Sequence, residues 1–257
     1  MKIIGIIPAR MSASRFHGKP LHDILGIPML EHVYIRAKMY NKWDELVVAT
    51  CDKEIINFCR KKNFPYVVTK SSHVRALDRV AEASNKIKTN ISKKDIIVCV
   101  QGDEPMLEPN MIKKVIDPIL DDLSVPATVL AMHITDEKIW KNPDTVKIIH
   151  NAEKKVLYTS RSPIPYVKES FSKSLKARRI YGIFAFQKKY LDLFINARES
   201  RLEKVESCDS NRILDLDFDQ FIAPYPARKS FSVDSPSDID LVEKYMVKDK
   251  IYKIYKK

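Results

Sequence analysis

Three short stretches hold the residues best suited to chemistry. The first, PARMSASRFHGKPL, follows the apolar run Ile3–Ile7 and places Arg10, Arg15 and Lys19 on one loop. Two guanidinium forks and an ammonium this close together suit a triphosphate, since arginine binds oxygens in pairs and lysine supplies a point charge. Gly18 and the flanking prolines shape the turn. The spacing matches neither a Walker A loop nor G-x-G-x-x-G, and the plain alternative is a basic surface loop. The second stretch, VQGDEP, ends the apolar run Ile96–Val100 and sets Asp103, with Glu104 beside it, just past a strand. A carboxylate there can hold Mg²⁺ next to substrate phosphates, because Mg²⁺ takes one or two carboxylates plus phosphate oxygens. Asp103 could equally cap a turn that Gly102 bends. In the third stretch, FSVDSPSDIDL, Asp234 is either a second metal ligand or an N-terminal helix residue, while Asp238 and Asp240 fit the first turn of a helix.

Other polar groups carry less. His73, Arg75, Asp78 and Arg79 follow the strand that ends at Thr69, Arg161 follows a hairpin, and Tyr181 lies on the strand after it. Ser12 and Ser14 have no partner base, the six histidines show no metal spacing, and G-x-S-x-G is absent.

These residues need a scaffold, and the pattern supplies one. Strands are expected at Ile3–Ile7, Leu46–Cys51, Tyr66–Thr69, Ile96–Val100 and Ala127–Ile134. They alternate with helices at Met29–Tyr40, Glu54–Lys62, Leu77–Ile87 and Asn110–Leu120. The strands read as unbroken apolar runs, as in a parallel sheet covered on both faces, and the alternation makes the fold α/β. Ligands bind such sheets at the carboxyl ends of the strands, where the three stretches begin. After Ile134 the pattern changes. Val146–His150 and Lys155–Ser160 read as a hairpin, Ile180–Phe186 as a strand, Lys188–Ala197 as a helix, Ser230–Val233 as a short strand and Ser237–Met246 as a helix. The expectation is a single domain over 1–257 with an inserted, partly antiparallel segment at about 143–187.

Composition sets the limits. The 257 residues are 45% hydrophobic and 30% charged, enough for a core and a solvated surface. No run approaches the ~20 apolar residues of a membrane span. MKIIGIIPAR is cut by Pro8 and Arg10 and does not read as a signal peptide, so a cytoplasmic location without membrane attachment is expected. Cys51, Cys59, Cys99 and Cys208 form no C-x-x-C pair, which argues against a disulfide scaffold or structural zinc, and Cys51 and Cys99 read as small core residues. The net charge of +12 permits a nucleic acid or a polyanionic small molecule as partner. The lysines are diffuse, and no RNA-binding motif or aromatic-interleaved basic stripe is present, so a non-catalytic nucleic-acid binder is only a distant alternative. Glycine is scarce. Five are present where average usage of about 7% would give about 18, and Gly5, Gly18 and Gly102 sit in or beside the stretches above.

Taken in order, IPARMSASRFHGKPL, VQGDEP and SVDSPSDIDL resemble the motifs of the 3-deoxy-manno-octulosonate (Kdo) cytidylyltransferases, or CMP-Kdo synthetases, with one serine of the opening motif shifted by a place. GIPMLEHVYIRA, LVVAT, NPDTVKII, SRSPIP and IYGIFAF match as well, so the resemblance covers nearly the whole chain. It implies a Rossmann-like nucleotide-diphospho-sugar transferase fold with an inserted dimerisation segment, hence a homodimer. It also implies Mg²⁺, CTP as donor, a 2-keto-3-deoxy acid sugar as acceptor, and a role in lipopolysaccharide or capsule synthesis. By matching positions, Pro8, Ala9, Arg10 and Lys19 hold the nucleotide, Arg79 and Gln101 help with base and sugar, and Asp103 and Asp234 hold magnesium. Arg15, Arg161 and Tyr181 face the acidic sugar.

The chain departs from the family in three places. HVRALDR replaces H-x-S-G-T-[DE]-R, so Arg75-Ala76-Leu77 stand for Ser-Gly-Thr in a loop expected to line the nucleotide. Ala177 replaces a sugar-contacting His, and Asp209-Ser210 replace a sugar-contacting Glu-Gln pair. Donor and metal positions are kept. The expectation is therefore a Mg²⁺-dependent cytidylyltransferase in which Lys19 and Arg10 stabilise phosphate charge, Asp103 and Asp234 serve the metal, and no general base is evident. Its acceptor is Kdo or a Kdo-like ulosonic acid, with a modified Kdo, another ulosonic acid or a phosphonate as the alternative. The departures predict that shortened sugar contacts open room for a substituent and that unmodified Kdo is not the best acceptor.

Overall fold

A computed structural model describes residues 1–12, 15–168 and 170–256, so Ser14 lies outside the described residues. The chain forms two compact units, one of Met1–Lys113 with Lys229–Lys257 and one of Lys114–Arg228. The middle unit is thus broader than the 143–187 segment set apart in the sequence.

Along the chain run β1 (Ile3–Pro8), the small hairpin β2 (Asp23–Ile24) and β3 (Ile27–Pro28), and α1 (Met29–Lys38). Next come β4 (Glu45–Thr50), α2 (Lys53–Lys62), β5 (Tyr66–Val68), α3 (Ala76–Lys86), β6 (Ile96–Val100) and α4 (Pro109–Asp121). In this first unit β1 pairs in parallel with β6 on one side and β4 on the other, and β4 pairs in parallel with β5. Every residue of β1 and β6 is buried, which explains their unbroken apolar character. α1 packs through Leu30, Val33 and Ala37, the positions its helical spacing predicts.

Two glycines let backbone and side chain approach closely. A Cβ on Gly5 would fall 2.6 Å from Leu46 Cδ1, and one on Gly102 would fall 2.7 Å from the Pro8 carbonyl oxygen. The second approach draws the carboxyl ends of β1 and β6 together.

The second unit contains β7 (Ala127–His133), α5 (Glu137–Lys141), β8 (Lys147–His150), β9 (Val156–Ser160), β10 (Arg178–Gln187), α6 (Lys188–Asn196), α7 (Arg201–Glu206), α8 (Ser210–Ile213) and β11 (Gln220–Tyr225). β7 pairs antiparallel with β10 and parallel with β11, and β8 joins β9 as the expected hairpin and β10 as its neighbour. β11 has no counterpart among the strands expected from the sequence, and it carries a proline, Pro224. α9 (Ser237–Met246) and α10 (Tyr252–Tyr255) complete the first unit.

Ser230–Val233 is not the strand its sequence suggests. The segment lies along the loop after β6 instead of along a strand. Ser230 Oγ donates to the Met106 carbonyl, Ser232 Oγ to Glu104, and the Val233 N–H to the Asp103 carbonyl at 3.0 Å. Side-chain bonds to an irregular partner build no ladder, and β classification is lost. The four cysteines are free, and Cys51 is half-buried, more open than a core residue.

Candidate active site

The first unit carries a cleft of about 270 Å³ at the carboxyl ends of its strands. Pro8, Ala9, Arg10, Arg15, Lys19, Arg79, Gln101, Asp103 and Asp234, predicted from four separate stretches, all line it. His73, Val74, Arg75 and Ala76, ahead of and at the start of α3, form a further wall.

Local chemistry fixes each side chain. Gly18 takes a positive φ of 76° and its N–H donates to the Met11 carbonyl at 3.0 Å, folding the loop after β1 back on itself. Asp52, at the start of α2, accepts the Met11 N–H at 2.7 Å and ties that loop to the sheet. Lys19 follows Gly18 directly. Its Nζ lies 3.2 Å from Asp103 Oδ2 and donates to the Val233 carbonyl at 2.7 Å. Arg15 meets Asp234 at 3.0 Å. Asp234 lies before α9 and not within it. Asp238, in the first turn of α9, accepts the N–H groups of Asp234 and Ser235 at 2.9 and 2.7 Å and so holds the Asp234 backbone in place.

Arg79 lines the cleft but is only 2% exposed. Its guanidinium donates to Thr69 Oγ1 and to the Lys70 and His73 carbonyls. Glu82, one turn further along α3, accepts from the Lys70 N–H and pairs with His73 and Lys86. Burial alone would raise the Glu82 carboxyl, but these hydrogen bonds outweigh it and bring it down to about 2. The wall from Thr69 to Arg75 is therefore held from behind by two α3 side chains. Sequence reasoning missed Glu82, and the only available sign was a carboxylate one turn after Arg79.

The residues expected on the sugar side in the second unit sit differently. Arg161 donates from Nε, Nη1 and Nη2 to the carbonyls of Glu206, Pro143 and Ser207, so its fork braces three backbone segments. Tyr181 is fully buried, with the Arg179 guanidinium over its ring. Asp209 is half-buried at the start of α8. Ala177 is 3% exposed and packs with Ile134 and Trp140, and Phe171 and Leu175 pack against the same cluster. Ser210 leaves a buried hydroxyl without a hydrogen-bond partner among the described residues.

A metal fits the cleft on one structural observation. Asp103 Oδ1 is buried and accepts no hydrogen bond among the described residues. An orphaned carboxylate oxygen in an otherwise paired cleft is a place for a cation. No cluster of three or more His, Cys, Asp or Glu exists among the described residues, so the protein supplies at most two carboxylates. That donor set suits Mg²⁺ completed by substrate phosphates, not a self-contained metal cage.

A cationic cleft at the ends of a parallel sheet, with two carboxylates beside it, defines a nucleotide-handling α/β protein of the nucleotidyltransferase type. The sequence profile of the cytidylyltransferase family matches residues 4–220. The protein "3-deoxy-manno-octulosonate cytidylyltransferase" of Nitratidesulfovibrio vulgaris (strain DP4) is 37% identical over 240 residues, covering 93% of each chain. Its namesake in Oleidesulfovibrio alaskensis is 36% identical, covering 93% of this chain and 94% of that protein. The solved structure of CMP:2-keto-3-deoxy-manno-octonic acid synthetase complexed with CTP superposes with a TM-score of 0.86 at 30% identity, over 96% of this chain and 99% of that one. A 4-diphosphocytidyl-2C-methyl-D-erythritol synthase from Anaerococcus prevotii shares the fold, with a TM-score of 0.61 at 18% identity over 96% and 98% of the chains. The chain belongs to the cytidylyltransferase family, among the 3-deoxy-manno-octulosonate cytidylyltransferases.

Proposed function

We propose that this protein transfers a cytidylyl group from CTP to Kdo or a Kdo-like ulosonic acid, giving the CMP-sugar and pyrophosphate. The acceptor hydroxyl attacks the α-phosphorus, the α–β phosphoanhydride breaks, and pyrophosphate leaves with the bond's electron pair. The observation that carries this reading is the meeting of Lys19, Arg15, Asp103 and Asp234 in one cleft. Arg10 lines the same cleft and brings a guanidinium fork for phosphate oxygens. In this reading Lys19 would meet the charge that builds on the leaving group, and a preorganised donor aimed at developing charge lowers a barrier more than ground-state binding does. The Asp103 and Asp234 carboxylates would hold Mg²⁺, which when bound supplies charge neutralisation and Lewis acidity at the phosphates. Gln101 lines the cleft and offers its amide to sugar or base. A homodimer, a cytoplasmic location and a role in lipopolysaccharide or capsule synthesis rest on the family resemblance.

Pyrophosphate release with CTP and Mg²⁺, measured against a panel of acidic sugars, tests the reading. Release that depends on CTP, on Mg²⁺ and on a ulosonic acid supports it, and no release with any acidic sugar overturns it. A nucleic-acid binder would instead show RNA affinity falling steeply with salt and no turnover.

A further inference from the structure

Residues 244–257 hold six lysines against one aspartate, a local net charge of +5 within a total of +12. The helices of this part of the chain, α9 and α10, each turn one side inward. Ile239, Val242 and Met246 of α9 are buried, and Tyr252 packs against the same cluster. The Tyr255 hydroxyl lies 2.7 Å from His32 Nδ1 and accepts from Arg36 Nε at 2.9 Å, so α10 is seated on two buried side chains of α1. Two carboxylates point inward as well. Glu243 accepts the Leu25 N–H at 2.8 Å, and Asp249 pairs with Arg36. Outside are Leu241, Lys244, Val247 and Lys248, spaced by three and four residues along α9 and the turn that ends it, and so on one helix face. Lys250, Lys253, Ile254 and Lys256 continue the exposed surface. Asp240 is exposed too, but at the other end of α9. These five lysines make no side-chain hydrogen bond or ion pair among the described residues. Ile254 is 73% exposed and Val247 53%, although both are apolar.

We propose that the outer face of α9 and α10 is a peripheral docking surface for an anionic lipid bilayer. Val247 and Ile254 enter the headgroup layer, and the lysines around them meet its negative charge. Ammonium groups interleaved with aliphatic side chains match a surface that is anionic outside and apolar just beneath. Lysine carries a point charge without a fork, which suits diffuse attraction more than the gripping of single phosphates. The exposed residues between Leu241 and Lys256 include no arginine and no aromatic ring, so the segment lacks the stacking platforms that a single-stranded nucleic acid uses. The contact is superficial and reversible, since among the described residues no helix is long and apolar enough to cross a membrane. It replaces the expectation of a protein without membrane attachment by that of one that visits the membrane surface. None of these outward residues lines the cleft.

Flotation of the full chain with vesicles tests this, using phosphatidylcholine alone or with about one third phosphatidylglycerol, over a salt series. The wild type is expected to bind the anionic vesicles at least tenfold more tightly than the neutral ones, and less tightly as salt rises. A lysine close to an anionic surface is worth about fivefold. The combined variant Lys248→Gln, Lys250→Gln, Lys253→Gln and Lys256→Gln is therefore expected to lose at least tenfold in binding. Val247→Ser with Ile254→Ser is expected to weaken binding several-fold at every salt concentration, which charge attraction alone would not produce. Melting curves confirm that both variants fold, as substitutions at exposed positions should allow. A wild type that does not bind anionic vesicles at low salt overturns the proposal. So does binding that both variants keep in full, which would place the contact elsewhere on the protein. Tighter binding to poly(U) RNA than to anionic vesicles at the same salt, lost in the glutamine variant, assigns the surface to nucleic acid and overturns the proposal as well.

Discussion

Lys19 Nζ stands between Asp103 Oδ2, at 3.2 Å, and the Val233 carbonyl, at 2.7 Å, and so links the ends of two chain segments far apart in sequence. The pairing sets the Lys19 side-chain nitrogen beside a carboxylate oxygen in the cleft. A methionine keeps most of the length of the Lys19 side chain and removes its charge and its donors. Lys19→Met is expected to lower kcat by about 10²–10³ while CTP binding weakens much less. Steady-state kinetics with direct CTP binding separate the two, and a large rise in KM with unchanged kcat would place Lys19 in ground-state binding alone.

Asp103→Asn and Asp234→Asn are each expected to reduce turnover to near background at saturating Mg²⁺. An amide keeps the shape and the hydrogen bond from Lys19 or Arg15 but gives up the anionic oxygen a metal requires. The variants should fold, since both groups are partly exposed, at 29% for Asp103 and 33% for Asp234. Circular dichroism and melting temperature check that point. Wild-type kcat in either variant would remove that carboxylate from the metal role.

Glu82 links stability to pH through the wall of the cleft. Its carboxyl is lowered from 4.5 to about 2 in the folded protein, so the folded state holds the anion where the unfolded chain would take up a proton. The stabilisation is fully present above pH 4.5 and is lost as pH falls toward 2. After a discount for partial exposure it amounts to about 2 kcal/mol. Glu82→Gln is expected to melt lower at pH 7 and to lose less stability than the wild type between pH 6 and pH 3. It should also weaken CTP binding, because a neutral amide holds His73 and the Lys70 N–H less strongly than the carboxylate does. Identical pH slopes in the two proteins would remove Glu82 from this role.

The cleft of the first unit was legible in the sequence because most of its lining residues lie just after buried strands. Apolar runs announced β1 and β6, and in an α/β sheet the loops after such strands meet. Gly102 was legible as a bend only, while the crowding of the Pro8 carbonyl against the place of its missing Cβ is visible only in the fold. The Asp234 segment misled because SFSV has the apolar rhythm of a strand, yet its serines bond to the loop after β6. The support behind the wall was hidden as well. Nothing local distinguishes Glu82 from an ordinary exposed helix carboxylate until Lys70 and His73 are seen to converge on it. On the sugar side, motif matching identified residue types but not orientation. Arg161 turned out to hold carbonyls, and Tyr181 to be enclosed.

Acceptor choice is the last expectation and the one with the narrowest support. The family resemblance implies sugar contacts at the positions of Ala177 and of Asp209-Ser210. Ala177 is buried in a cluster with Ile134 and Trp140. The change at Asp209-Ser210 differs, because it shortens two polar partners and leaves the Ser210 hydroxyl buried without a partner among the described residues. A site that grips hydroxyl groups loses discrimination when its partners are cut short, since the substrate's groups then go unpaired. An ordered water restores part of such a contact, and if it restored all of it Kdo would stay the preferred acceptor. The expected outcome is that kcat/KM for at least one 8-substituted Kdo or other ulosonic acid exceeds that for Kdo. Asp209→Glu combined with Ser210→Gln should move the preference back toward Kdo. If Kdo matches or beats every other acceptor in the wild type, altered specificity is wrong, while CTP-dependent transfer to a ulosonic acid stands unaffected.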